Sequence, residues 1–200
     1  MTVTATNNTW ENNSAGEYGG GVYHFQPTLL DFSSRNETFQ SNTALNGACF
    51  VAHISGVNPV NKISFTDTIA NDNIAPSSGG FVVLTTFTVS GTVECQLLMT
   101  NVVANRNSAS RGALVYLYQT DLQNVTLVGC KIADHTITNG TITFYGGSNP
   151  TLNLVDSEFR NNVAGGYGGV LYSTSGVGGM DYNISGCSFI NNSAATLGGA

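Results

Sequence analysis

Residues 159–170 read FRNNVAGGYGGV, and residues 189–200, thirty positions later, read FINNSAATLGGA. The same frame returns at residues 39–48, which read FQSNTALNGA. It consists of an aromatic residue, an Asn three positions later, an Ala and a glycine-marked corner. A frame that recurs at a fixed spacing is typical of a solenoid, in which each short unit stacks on the next because no unit buries its apolar face alone. The 200-residue chain is therefore predicted to consist of stacked repeats.

The Asn of this frame recurs along the whole chain at spacings of 29, 31, 34, 28, 27 and 30 residues, and a His replaces it once. Equivalent residues in stacked coils lie about 4.8 Å apart. Their amides can therefore bond to one another and satisfy polar groups that would be costly to bury unpaired. We predict a structural ladder at Asn13, Asn42, Asn73, Asn107, His135, Asn162 and Asn192.

The residues around each ladder position indicate short strands. The tenth and eighth positions before it are mostly apolar and the ninth is mostly polar, as in Leu152, Asn153 and Leu154, which is the pattern of a half-buried strand. A second apolar anchor lies three residues before the ladder, and a stretch rich in β-branched and aromatic residues follows the Gly pair. We predict about three strands per repeat and an all-β parallel β-helix of about seven coils, each of roughly 30 residues.

A leucine-rich repeat is the nearest alternative, since it also stacks an Asn column, at a period of about 20 to 29 residues. The leucine frame of that repeat is missing here. The glycine content is also too high for a helix in every repeat. The β-helix is therefore the preferred interpretation.

Two short motifs carry a resemblance to a known family. The sequence Phe-x-x-Asn at residues 39–42, 159–162 and 189–192, together with Gly-Ala-Leu at 112–114, Gly-Gly-Val at 168–170 and Gly-Gly-Ala at 198–200, resembles the repeat of chlamydial-type polymorphic outer membrane proteins. The resemblance implies a right-handed parallel β-helix that is exposed outside the cell and serves adhesion or surface structure. It also implies an extracellular or cell-surface location.

Composition limits the partners of the chain. Charged residues make up 9% of the sequence and the net charge is −6, so no basic stripe is available to follow a nucleic acid. No apolar run approaches the roughly 20 residues that span a bilayer. Solenoids need covered ends, and neither end of the sequence carries a polar cap. We therefore expect residues 1–200 to form a single β-helix segment, either within a longer protein or in an assembly that continues end to end.

Seven Asn-x-Ser/Thr sequons avoid the ladder and mostly fall where we expect outward-facing residues. We predict covalent N-glycans on several of them if the source is eukaryotic. The candidate positions are Asn7, Asn12, Asn36, Asn124, Asn139, Asn183 and Asn191.

Candidate catalytic and metal-binding residues are dispersed. The best carboxylate pair, Asp156 and Glu158, is typical of solvated turn residues, and the four cysteines lack metal-ligand spacing. We predict no catalytic site, no metal and no cofactor. The expected function is that of a non-enzymatic extracellular structural protein, a fibre or cell-surface stalk. A surface adhesin of the same fold is the first alternative, which requires an exposed aromatic patch or a long loop, with the repeat from Asn73 to Asn107 as the candidate. A polysaccharide lyase or hydrolase is the second.

Overall fold

The protein is a parallel β-helix whose chain passes through four sheets in each coil. The computed structural model describes residues 1–25, 29–57, 60–90, 94–118, 123–147, 149–174 and 179–199. Within these ranges every regular element is a strand. The sheets run along the axis of the solenoid, and each strand pairs in parallel with its counterpart in the neighbouring coils. The all-β parallel β-helix predicted from the repeat is confirmed.

Two of the sheets have seven strands. Sheet 1 holds the alternating segments before the ladder: Thr2–Thr6, Leu29–Arg35, Val60–Thr66, Glu94–Thr100, Gln123–Val128, Thr151–Val155 and Asp181–Ser185. Sheet 2 holds the short anchor segments: Thr9–Glu11, Thr38–Gln40, Ile69–Asn71, Val103–Asn105, Lys131–Ala133, Glu158–Arg160 and Ser188–Ile190.

The other two sheets follow the ladder residue in each coil. Sheet 3 contains Ile74–Ser78, Ser108–Arg111, Thr136–Asn139, Val163–Ala164 and Ser193–Ala194. Sheet 4 contains Val22–Phe25, Phe50–Val57, Val82–Ser90, Val115–Tyr118, Ile142–Tyr145 and Leu171–Ser173.

Two details of the prediction are wrong. A coil that passes through all the sheets has four strands rather than three, because the residues directly after the ladder form sheet 3. Its strands are only two to five residues long, too short to show a period of two in the sequence. The coils number about six rather than about seven, since seven ladder residues enclose six complete turns.

The apolar columns of the aligned repeats pair in the structure. Phe32 pairs with Ile63, and Ile63 pairs with Leu97, all on the inward face of sheet 1. Along the strand Leu29–Arg35 buried and exposed residues alternate strictly. Phenylalanines from different sheets meet inside the coil, as Phe32 and Phe50 do with ring centroids 4.6 Å apart. The core is thus a continuous apolar column along the axis.

Three corners in each coil use the left-handed backbone region, where φ is positive. Asn and Asp adopt this region more readily than other residues because their short polar side chains bond locally, and Gly adopts it freely. The first corner joins sheets 1 and 2, the second precedes the ladder and the third precedes sheet 4. The first corner holds Asn7, Asn36, Asp67, Asn101, Gly129, Asp156 and Gly186. The second corner holds Asn12, Ser41, Asp72, Arg106, Asp134, Asn161 and Asn191. The third corner holds Gly19, Gly47, Gly79, Gly112, Gly140, Gly168 and Gly198.

Replacing the corner glycine Gly112 by Ala is expected to lower the free energy of unfolding by about 2 kcal/mol. Its φ is 61° and a Cβ would collide with the carbonyl oxygen of Val115. Gly165→Ala is the matched control, since φ there is not positive and the nearest atom, the carbonyl oxygen of Ile137, is 3.8 Å from a Cβ. Urea unfolding of both variants measures the difference, and equal stabilities would contradict this role of Gly112.

Candidate binding cleft

The ladder residues form a hydrogen-bonded column at the corner between sheets 2 and 3. The side-chain oxygen of Asn73 accepts two hydrogen bonds from Asn42, one from the backbone N–H at 3.0 Å and one from Nδ2 at 3.1 Å. The Nδ2 of Asn42 also donates to the carbonyl oxygen of Trp10 at 2.8 Å. The same pair of hydrogen bonds joins Asn13 to Asn42, Asn73 to Asn107, and Asn162 to Asn192. The side chains of Asn42, Asn73 and Asn162 therefore satisfy groups in the coils on both sides.

His135 continues the column with a different chemistry. Its Nδ1 accepts a hydrogen bond from the backbone N–H of Asn107 at 3.1 Å. The backbone N–H of His135 donates to the amide oxygen of Asn162 at 3.2 Å. Because Nδ1 accepts, Nε2 carries the proton, and this atom is buried without a hydrogen-bond partner among the described residues. Burial lowers the pKa of His135 to about 3, so the ring is neutral at pH 7.

The outer surface of sheet 4 carries a cleft of about 370 Å³. Strand register explains it. Val51 pairs with Val83, and on either side of these two small residues the same column holds large rings, Tyr23 and Tyr116. The cleft lies above Val83, between one wall that includes Tyr18 and another that includes Tyr116. Its lining residues are Tyr18, Asn46, His53, Ser77, Ser78, Val83, Thr85, Arg111, Tyr116, Tyr118 and Tyr145.

The first wall is a cluster of three rings. Tyr18 stacks on Tyr23 with centroids 5.7 Å apart, and its ring lies edge-on to His53 at 4.4 Å. The hydroxyl of Tyr23 lies 3.0 Å from Nδ1 of His53. Burial raises the pKa of Tyr23 and lowers the pKa of His53 to about 4. Tyr23 and His53 are therefore neutral at physiological pH.

The second wall combines rings with a cation. Tyr118 stacks on Tyr145 with centroids 5.4 Å apart. The guanidinium carbon of Arg111 lies 5.5 Å from the ring centroids of both Tyr116 and Tyr145, a distance suited to cation–π attraction. Nη1 of Arg111 donates to the hydroxyl of Tyr116 at 3.5 Å. Burial raises the pKa of Tyr116 to about 12.

Arg111 gives the cleft its charge. No other lining residue is an arginine, lysine or acid. The ion pairs among the described residues join Arg35 to Asp67, Arg106 to Asp72 and Arg160 to Glu158, and none includes Arg111. Among the residues that the structure describes, the guanidinium of Arg111 therefore has no carboxylate partner and lies beside tyrosine rings and hydroxyl groups.

Sequence reasoning identified this site only in part. Both Tyr18 and Tyr167 precede a Gly pair in the sequence, but only Tyr18 lines the cleft, and Tyr167 stacks on Tyr172 at 5.8 Å. The long repeat from Asn73 to Asn107 supplies part of the floor, although residues 91–93 of that repeat lie outside the described ranges. The second wall was missed. Aligning the outward columns of sheet 4, rather than the inward ones, is the signal that finds it.

The candidate catalytic pair has ordinary surroundings. Asp156 is an exposed corner residue with φ of 48°. Glu158 is half-buried and pairs with Arg160 at 2.9 Å. Among the described residues no group of three or more His, Cys, Asp or Glu side chains is placed to hold a metal ion.

The seven sequons fall into two groups. Asn139 is half-buried, and its amide oxygen accepts the N–H of Tyr167 at 3.0 Å. The remaining six are exposed, at Asn7, Asn12, Asn36, Asn124, Asn183 and Asn191.

The cysteines are free thiols. Cys49, Cys95 and Cys130 are buried, and Cys187 is half-buried. Burial raises the pKa of Cys95 to about 12 and that of Cys130 to about 11. These two thiols are therefore protonated and unreactive at neutral pH.

Comparison with known proteins agrees with the repeat. The Chlamydia polymorphic membrane protein repeat matches residues 156–174. A stretch of 67 residues is 42% identical to the probable autotransporter YfaL of Escherichia coli strain K12, which covers 31% of this chain and 5% of that protein. No solved structure matches the chain. The described residues contain no helix long and apolar enough to cross a membrane.

These matches and the structure concern the same unit. The residues matched by the repeat run from the corner at Asp156, through the ladder residue Asn162 and the Gly168 corner, into sheet 4. The predicted resemblance is therefore confirmed. The chain is a parallel β-helix built from repeats like those of the chlamydial polymorphic membrane proteins, exposed at the outer membrane or cell surface.

Proposed function

We propose that the protein is a non-enzymatic structural protein that forms a rigid fibre or a stalk at the cell surface. The observation that supports this role is the column of ladder residues, which are buried from Asn42 to Asn162 and are bonded from coil to coil. Four parallel sheets continue along the same axis. A coil cannot tilt or slip without breaking bonds in both the sheets and the ladder, so the unit resists bending.

Continuation of the rod is part of the same proposal. In-register parallel pairing between coils lets residues 1–200 act as one β-helix segment that further coils or further copies extend end to end. Electron microscopy of the native material tests this. Straight filaments or long stalks of constant width support the role, and short isolated particles at high protein concentration contradict it.

Absence of catalysis is tested with acidic polysaccharides. The wild-type protein and Asp156→Asn are incubated with polyuronates, and release of reducing ends or unsaturated products is followed. We expect no release from either protein. Degradation by the wild type that disappears in the variant would replace the structural proposal by the lyase or hydrolase alternative.

The third part of this proposal is that the protein carries N-glycans when the source is eukaryotic. The six exposed sequons have room for a glycan, whereas Asn139 uses its amide oxygen to hold the backbone of the next coil. We expect glycopeptide mass analysis to find sugar on several of the six and none on Asn139. Unmodified peptides at all seven positions would remove this element.

A surface adhesin is the second candidate, and the aromatic cleft favours it. Binding sites are concave and combine apolar walls with a few convergent polar groups, as this cleft does. Attachment of the protein to intact cells or surface extracts is compared between the wild type and Tyr145→Ala, whose ring lines the cleft. Equal attachment of the two proteins contradicts a role for the cleft, and the structural proposal then stands alone.

A further inference from the structure

The geometry points to an acidic saccharide as the ligand of the cleft, with a sugar ring packed against the tyrosines and its carboxylate or sulfate group on Arg111. This inference rests on the adhesin candidate and specifies its ligand. It is supported by the shape of the cleft, by the chemistry of its floor and by its charge.

The walls fit a ring-shaped ligand. Tyr18 lines one side of the cleft, and Tyr116, Tyr118 and Tyr145 line the other. Tyrosine offers an apolar face together with a polar tip. A sugar ring has the matching character, because its C–H groups pack on an aromatic face and its hydroxyls point sideways.

The floor supplies partners for those hydroxyls. Asn46, Ser78 and Thr85 lie on it, in the two coils where Val51 and Val83 occupy the column of Tyr23 and Tyr116. Val83 is the aliphatic residue among the lining positions. A floor of amide and hydroxyl groups favours a polyhydroxylated ligand over an apolar peptide, which would leave these groups without partners.

The charge selects an acidic sugar over a neutral one. The planar guanidinium of Arg111 has donors in a fork that matches a carboxylate or sulfate, and bonds to charged groups are stronger than bonds to neutral ones. No carboxylate of the described residues lies within ion-pair distance of it. Contact with Tyr116 and Tyr145 holds the guanidinium beside the rings, where a stacked sugar would carry its acid group.

A direct binding experiment uses three probes on the protein: a hexuronic acid trisaccharide, the same trisaccharide with its carboxyls reduced to alcohols, and a sulfated disaccharide. Titration calorimetry and saturation-transfer NMR at low salt measure affinity and the protons in contact. We expect the uronate to bind about tenfold more tightly than its reduced counterpart, with ring protons near tyrosines. Tighter binding of the sulfated probe assigns the anionic group as sulfate.

Two pairs of variants locate the site. Arg111→Gln is expected to weaken uronate binding about tenfold. Arg160→Gln removes the same charge from a residue already paired with Glu158, and is expected to leave binding unchanged. Tyr145→Ala is expected to weaken both the acidic and the neutral trisaccharide. Its control, Tyr167→Ala, removes an equally exposed ring that is stacked on another tyrosine outside the cleft.

Equal uronate affinity of the wild type and Arg111→Gln, with unchanged melting temperatures, overturns the inference. So does the lack of a signal from all three probes at millimolar concentration. If Tyr145→Ala still abolishes attachment to cells in that case, the adhesin candidate survives with a ligand of another class. If attachment is also unaffected, both fail.

Discussion

Asn73→Leu is expected to lower the free energy of unfolding by about 3–5 kcal/mol, since each buried polar group left without a partner costs about 1–3 kcal/mol. The amide oxygen of Asn73 holds the N–H and Nδ2 of Asn42, and its Nδ2 donates to the carbonyl oxygen of Phe39 and the amide oxygen of Asn107. Leucine has a similar volume but can make none of these bonds. Urea unfolding followed by circular dichroism measures the change.

Asn153→Leu is the matched control for this experiment. Asn153 lies on the outward face of sheet 1, half-exposed, and bonds to Asn124 at 3.2 Å and Thr126 at 3.3 Å. Water replaces those bonds when the amide is lost, so the expected change is below about 1 kcal/mol. Similar losses in the two variants would mean that the ladder bonds contribute no more than surface bonds.

His135→Asn is expected to make the protein more stable at pH 4 by about 4 kcal/mol, relative to the wild type at the same pH. About 3 kcal/mol of this comes from the proton that the folded wild type excludes, and about 1 kcal/mol is present at every pH. The pKa of His135 is about 3 in the folded protein and about 6.5 in the unfolded chain. Between those pH values the unfolded state binds a proton that the folded state excludes. The wild type is therefore fully stable above pH 6.5 and loses about 1.4 kcal/mol for each pH unit below it. Asparagine carries no such proton.

The same substitution is expected to add about 1 kcal/mol at pH 7. We expect an Asn at this position to bond as Asn107 does, whose Nδ2 donates to the carbonyl oxygen of Ala70 in the preceding coil. The substitution also removes Nε2 of His135, which is buried without a partner among the described residues. Unfolding free energies of both proteins between pH 7 and pH 4 test the two statements together. His53 titrates in both proteins, so its contribution cancels. Parallel pH profiles would contradict the assignment to His135.

The parts of the fold that repeat could be predicted from the sequence. The inward columns, such as Phe32, Ile63 and Leu97, must be apolar in every coil, so their spacing indicates both the strands and their register. The strands of sheet 3 were missed because residues such as Val163 and Ala164 are too few to show a period. Their pairing is imposed by the coils on either side rather than by local preference.

The cleft could not be predicted in the same way, because it depends on differences between coils. On the outer face of sheet 4, Val51, Val83 and Tyr116 occupy one column, so a small residue in two coils is replaced by a large ring in the next. A consensus of the repeats averages these positions and removes the information.

The width of the cleft is set by whole coils. The walls take their rings from neighbouring windings, and in the column of Tyr23 and Tyr116 the two windings between the rings carry Val51 and Val83. Duplication or loss of one such repeat, which leaves the interior bonds intact, would change the opening in steps of about 4.8 Å. Gain or loss of a repeat in a related protein would therefore change the length of ligand that fits the cleft, while the residues of both walls stay the same.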